Sequence, residues 1–102
     1  MIKAGIIGSG NIGTDLLLKL IKTDFISLVI FSGRRLNSKG METAKKNNIP
    51  ITDNGIQYFI DNPNYCDIVY DCTNALDAKK HAKVFKEQQV KVIDLTPAKV
   101  GV

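Results

Sequence analysis

The sequence predicts a doubly wound α/β domain, a parallel sheet with helices on both faces. Three observations carry that expectation. Apolar runs at 2–7, 25–32, 68–72 and 90–95 alternate with stretches whose apolar residues recur at helical spacing. The runs are apolar almost throughout, as strands covered on both faces tend to be. Finally, 102 residues with 44% hydrophobic and 24% charged content suit one small globular domain with a modest core.

Each element has its own local reason. Residues 2–7 form a short apolar run that ends in glycines, a first strand. From 11 to 22 the period changes: Ile12, Leu16 and Leu20 fall at i, i+4 and i+8 beside Leu17 and Ile21. Asp15, Lys19 and Lys22 take the other side, acid early and lysines late, as the helix dipole prefers. Residues 25–32 read as the second strand and 33–37 as a loop. Ser38 is placed to cap a helix over 39–47. Residues 49–52 give at most a brief strand. A helical stretch over 55–61 is stopped by Asn62-Pro63-Asn64. The strand at 68–72 precedes a helix over 74–89 with Ala75, Ala78, Ala82 and Phe85 along one face. The last strand, 90–95, is closed by Thr96-Pro97.

The net charge of +4 is spread along the chain, apart from Lys79, Lys80, Lys83 and Lys86, and tryptophan is absent. That argues for a solvated surface with some anion binding and against a nucleic-acid partner. Cys66 and Cys72 have only His81 to help them, which makes neither a zinc pattern nor a redox CxxC motif. No metal site is expected, and both thiols read as reduced, small apolar residues. No run approaches the length of a transmembrane helix, and the N-terminus lacks signal-peptide form, so the expectation is a cytoplasmic protein without a membrane partner.

Gly8-Ser9-Gly10-Asn11-Ile12-Gly13 matches G-x-G-x-x-G, directly after an apolar strand and at the start of an amphipathic helix. That context marks a Rossmann-type dinucleotide fingerprint. Gly8 serves the tight turn, Gly10 removes a side chain where pyrophosphate approaches, and Gly13 lets helix and strand pack closely. Gly10 is also a candidate for a glycine-only dihedral. The helix-start N–H groups around Asn11 and Ile12 would meet the anion. An NAD site commonly has an acid after the second strand, but here Ser32-Gly33-Arg34-Arg35 stands there. A hydroxyl and two guanidinium groups suit a 2′-phosphate, so NADP is favoured over NAD; the alternative makes Arg34 and Arg35 solvated loop residues. Thr73 and Asn74 follow another strand end and could touch the cofactor, although Asn74 is equally a plain N-cap. Asp71 and Asp94 lie in apolar strands, where backbone N–H groups would have to hold them. His81 reads as a packed histidine, and Cys72 lacks an evident base to make it a nucleophile.

The chain resembles the acylating, CoA-dependent acetaldehyde dehydrogenases. The stretch Ala4-Gly5-Ile6-Ile7-Gly8-Ser9-Gly10-Asn11-Ile12-Gly13-Thr14-Asp15-Leu16 looks like their opening. Tyr70-Asp71-Cys72-Thr73-Asn74-Ala75, Lys80-His81-Ala82 and Val92-Ile93-Asp94-Leu95-Thr96-Pro97-Ala98 follow in the family's order. The resemblance implies that Ser9, Gly10, Asn11 and Ile12 contact the nicotinamide dinucleotide. It implies oxidation of a short aldehyde through a cysteine thioester that CoA takes up, with 4-hydroxy-2-oxovalerate aldolase as partner in aromatic catabolism. The family's nucleophilic cysteine lies downstream of the I-D-L-T-P segment, and Cys66 and Cys72 precede it. The chain is therefore expected to be a single cofactor domain, 1–102, with no catalytic residue of its own and the catalytic domain elsewhere. Two rivals remain at this stage: a stand-alone nucleotide-sensing module, and the cofactor domain of another semialdehyde or amino-acid dehydrogenase.

Overall fold

In the computed structural model, which describes residues 1–96, strand and helix alternate as β1 (Ile2–Ile7), α1 (Asn11–Leu20), β2 (Ile26–Ser32), α2 (Lys39–Lys46), β3 (Ile51–Thr52), α3 (Ile56–Asp61), β4 (Ile68–Asp71), α4 (Ala75–Gln88) and β5 (Lys91–Asp94). The strands lie in the order β3-β2-β1-β4-β5, every neighbouring pair parallel. The chain winds outward from β1 through β2 to β3, then returns to β1's other side with β4. This is the doubly wound arrangement, and the winding reverses between β1 and β4. Their C-terminal ends therefore feed loops that part in opposite directions and leave a crevice.

The two faces bury separate sets of side chains. On one, Leu17 and Leu20 of α1 and Met41 and Ala44 of α2 pack on Ile6, Leu28 and Phe31. On the other, Phe59 of α3 and Phe85 of α4 pack on Ile7, Ile30 and Val69. Phe59 and Phe85 meet edge to face at 5.3 Å, a favoured aromatic geometry. Ser38 caps α2 by accepting from Met41 N, and Asn74 caps α4 by accepting from Asp77 N.

Three expectations about faces change. The second strand begins at Ile26, and Phe25 is 65% exposed, because the preceding turn leaves it outside the sheet. The buried line of α1 is Gly13, Leu17 and Leu20, with Ile12 and Ile21 towards solvent. In α4 the buried line is Ala78, His81 and Phe85, while Ala75 and Ala82 are exposed. Alanine methyls bury too little surface to set a helix's phase, whereas Phe85 and a bonded His81 do. Pro97, expected to close the last strand, lies outside the described residues.

Candidate functional site

The site begins with the turn that ends β1. Gly8 has φ +114°, a left-handed backbone that favours glycine. Its N–H donates to Ser32 O at 2.7 Å, and a Cβ here would sit 2.6 Å from the Cys72 carbonyl carbon. A Cβ on Gly13 would lie 2.0 Å from Gly8 O, so α1 rests directly on the turn. Gly10 differs from expectation. Its backbone is extended (φ −78°, ψ −162°), which any residue adopts, and a Cβ would meet nothing within 4 Å. The glycine-only dihedral belongs to Gly8; Gly10 instead keeps space open at the start of α1, where no side chain caps the helix. Two further glycines, missed in the sequence, hold Ser9 in place. A Cβ on Gly33 would lie 2.5 Å from Ser9 Oγ, and one on Gly40 would lie 2.4 Å from Ser9 O. Both follow from close approach of the β2 loop and α2, which no local motif signals.

A cleft of about 680 Å³ opens in front of this turn, within the range of small-molecule sites. Gly8, Ser9 and Gly10 form one wall, Arg34 and Arg35 the β2 side, Asp53 and Asn54 the β3 side, and Thr73 and Asn74 the β4 side. Asp77, Lys80 and His81 of α4 complete it. Of the expected residues, Asn11, Ile12 and Gly13 are not in the cleft wall; they form the first turn of α1 beside it. Ser32 is corrected: it is fully buried, and its hydroxyl donates to Gly55 O at 2.8 Å, so it anchors the start of α3 instead of facing a ribose.

Charge in the cleft is arranged by α4. Asn74 Nδ2 donates to Asp77 Oδ2 at 2.9 Å, and Arg34 reaches across to the same oxygen at 2.5 Å. The Asn74 amide, followed by the Arg34 guanidinium, holds the Asp77 carboxyl below the usual carboxylate range. Arg35 has no ion pair among the described residues.

Beneath the β4 loop, the fully buried Asp71 accepts from Thr73 N (3.1 Å) and from the Thr73 hydroxyl (2.5 Å) through Oδ1. Its Oδ2 lies 2.8 Å from His81 Nδ1. The backbone N–H expected for Asp71 is thus present, as is one for Asp94, whose Oδ1 accepts from Thr96 N at 2.9 Å. The Asp71–His81 pair was not legible beforehand; the spacing of ten residues connects strand to helix only once α4 folds back.

Cys72 is buried, and its thiol is pushed up to about 12 by burial, with the Asp71 and Asp94 carboxylates adding to the effect. Burial likewise pushes Cys66 up to about 12. A shift in this direction disfavours the thiolate at neutral pH. Both folded values stand above the ordinary thiol value, so the stabilisation is complete below about pH 8.5 and is lost as pH rises towards 12, at most about 1.4 kcal/mol per pH unit for each thiol. Folded protein at pH 8 should resist iodoacetamide, with both thiols reacting promptly once urea unfolds the chain. Rapid alkylation of the native protein would show the thiols to be accessible thiolates.

Among the described residues no group of His, Cys, Asp or Glu side chains could hold a metal ion, and no helix is long and apolar enough to cross a membrane.

Comparison with known proteins agrees with this geometry. The family described as "Semialdehyde dehydrogenase, NAD binding domain" matches residues 3–99. The acetaldehyde dehydrogenase of Pectobacterium atrosepticum is 46% identical over 100 residues, covering 98% of this chain and 34% of that protein. The acetaldehyde dehydrogenase of Bacillus thuringiensis is 50% identical over 100 residues, covering 98% of this chain and 33% of its own length. The chain thus spans about a third of the curated relatives it matches. Among solved structures, apo saccharopine dehydrogenase (L-Glu forming) from Saccharomyces cerevisiae superposes with a TM-score of 0.77 at 15% identity, over 92% of this chain and 21% of that one, a likeness of fold alone. Fold, glycine turn and relatives agree: the chain belongs to the NAD-binding domain family of the semialdehyde dehydrogenases.

Proposed function

We propose that the chain is the cofactor-binding part, a single domain over 1–102, of an acylating aldehyde dehydrogenase that converts a short aldehyde, CoA and a nicotinamide dinucleotide into an acyl-CoA. The observation that carries the binding is the open space at Gly10, beside the uncapped start of α1 and at the point where the sheet's winding reverses. Ser9 and Gly10, with the first-turn N–H groups of Asn11 and Ile12, would hold the pyrophosphate, while Thr73 and Asn74 would border it from β4. The cofactor supplies the hydride acceptor. On this reading, as the resemblance to acetaldehyde dehydrogenases suggests, the nucleophilic cysteine belongs to another part of the enzyme. CoA, an aldolase partner and a role in aromatic catabolism in the cytoplasm belong, on the same ground, to the whole enzyme.

We also propose a preference for NADP. Arg35 is the available guanidinium and Arg34 the second, and Asp77 competes with a 2′-phosphate for Arg34. Calorimetric titration of NAD and NADP tests both parts. Gly10→Ala should lose about 1.5–3 kcal/mol of binding, one to two decades, with little change in stability because the methyl meets no protein atom. Replacing Arg34 and Arg35 together by Ala should remove an NADP advantage of about tenfold to a hundredfold and leave NAD affinity nearly constant. If wild type binds NAD as well as NADP at low salt, the arginines are solvated loop residues. Unchanged affinity in Gly10→Ala would remove the glycine turn from the site.

A further inference from the structure

On the α4 side of the cleft, a buried pair ends on a ring nitrogen that no described residue fills. His81 is buried along the inward line of α4, yet it borders the cleft. Its Nδ1 lies 2.8 Å from Asp71 Oδ2, and the carboxylate's other oxygen is taken by the two Thr73 donors. A carboxylate only accepts, so Nδ1 carries the proton and Nε2 is the ring nitrogen left for a ligand. Nε2 makes no hydrogen bond among the described residues, and His81 lines the cleft. An acceptor fixed in one tautomer at a cleft wall selects a ligand donor.

The position of the cleft says which donor. It runs between the end of β2, where the adenosine ribose of a dinucleotide is read, and the first turns of α4. A dinucleotide lying in this cleft would bring its adenosine half towards the α4 wall that holds His81. Resting on the dinucleotide reading above, we propose that His81 Nε2 accepts from the exocyclic amino group of adenine, so that the Asp71–His81 pair selects adenine over a 6-oxopurine. In hypoxanthine a carbonyl oxygen replaces that amine, and two lone pairs would face each other. Other titratable or charged groups border the same space: Asp77 and Lys80 on α4, Arg34 and Arg35 from the β2 loop, Asp53 after β3, and Cys72 next to Asp71. None of them bonds to His81. Asp71 alone sets the tautomer.

The test is calorimetric titration of the chain at pH 8 with NAD and with its hypoxanthine analogue. Wild type should bind NAD at least about tenfold more tightly, since a site built to pair one polar group rejects its opposite. Asp71→Asn separates recognition from structure. Its Oδ1 stays with the two Thr73 donors, its amide then donates to His81 Nδ1, and the ring proton moves to Nε2. The preference should reverse towards hypoxanthine, with imidazole nitrogen NMR reporting the exchanged tautomer. His81→Phe should bind both dinucleotides within about twofold of each other. Equal binding of both by wild type overturns the proposal while leaving the dinucleotide reading intact, as does an Asp71→Asn protein with switched tautomer and unswitched preference. If neither dinucleotide binds wild type, the dinucleotide reading itself fails.

Discussion

Gly13→Ala should leave the chain largely unfolded under conditions where wild type is folded. The added methyl carbon would lie 2.0 Å from Gly8 O, and both sides of that contact are main chain, so no side-chain rotation relieves it. Moving α1 away would pull Leu17 and Leu20 out of the core and disturb the glycine turn. Clashes of this kind belong to the small class costing about 4 kcal/mol or more, against a total of roughly 5–15 kcal/mol for a typical domain. Urea unfolding followed by circular dichroism checks the result, with Gly10→Ala as a control that should unfold like wild type. A Gly13→Ala midpoint close to wild type would mean that helix and turn can separate at little cost.

Asp71→Ala should destabilise the domain by about 3 kcal/mol or more, because it removes the shared acceptor of three donors, at roughly 1–3 kcal/mol for each one left buried without a partner. The Thr73 N–H, the Thr73 hydroxyl and His81 Nδ1 would all lose their acceptor. Asp71→Asn should cost far less, since its carbonyl still takes both Thr73 donors and its amide still reaches the ring. Thermal or urea denaturation of the two variants side by side measures the difference. Equal stability of Ala and Asn at this position would show that the cluster contributes little to the fold.

Much of the architecture was legible because it rests on local chemistry. Ser38 and Asn74 could be seen as caps from residue type and position, and the structure has both side chains accepting from the expected N–H groups. The glycine motif announced its turn, since Gly13 is demanded by the nearby Gly8 carbonyl and Gly8 by its own positive φ, although the backbone that crowds Gly8, at Cys72, is distant along the chain. What escaped depends on distance along the chain. Arg34 meets Asp77 across 43 residues, and Gly33 and Gly40 are required by Ser9 rather than by their own neighbours. Ser32 looked like a ligand group because it ends the second strand, but its side chain turns to Gly55 beneath the cleft. His81 was read as packed from its spacing to Ala78 and Phe85, and it is buried with them; its bond to Asp71 is what the spacing did not show.

β1 pairs with β2 through Ile2 and Ile26, close along the chain, but with β4 through Ala4 and Ile68. A further bond, Lys3 N–H to Asp67 Oδ2, spans 64 residues. Contacts of such separation carry a larger loop-closure entropy and tend to form late. The β1–α1–β2 unit can therefore close kinetically before the second half of the sheet docks. The cleft needs walls from both halves, so it is complete only when β4 has docked on β1. A compound that binds there acts on the finished molecule: it raises equilibrium stability by mass action and lengthens the native lifetime, while the rate of reaching the native state stays nearly the same.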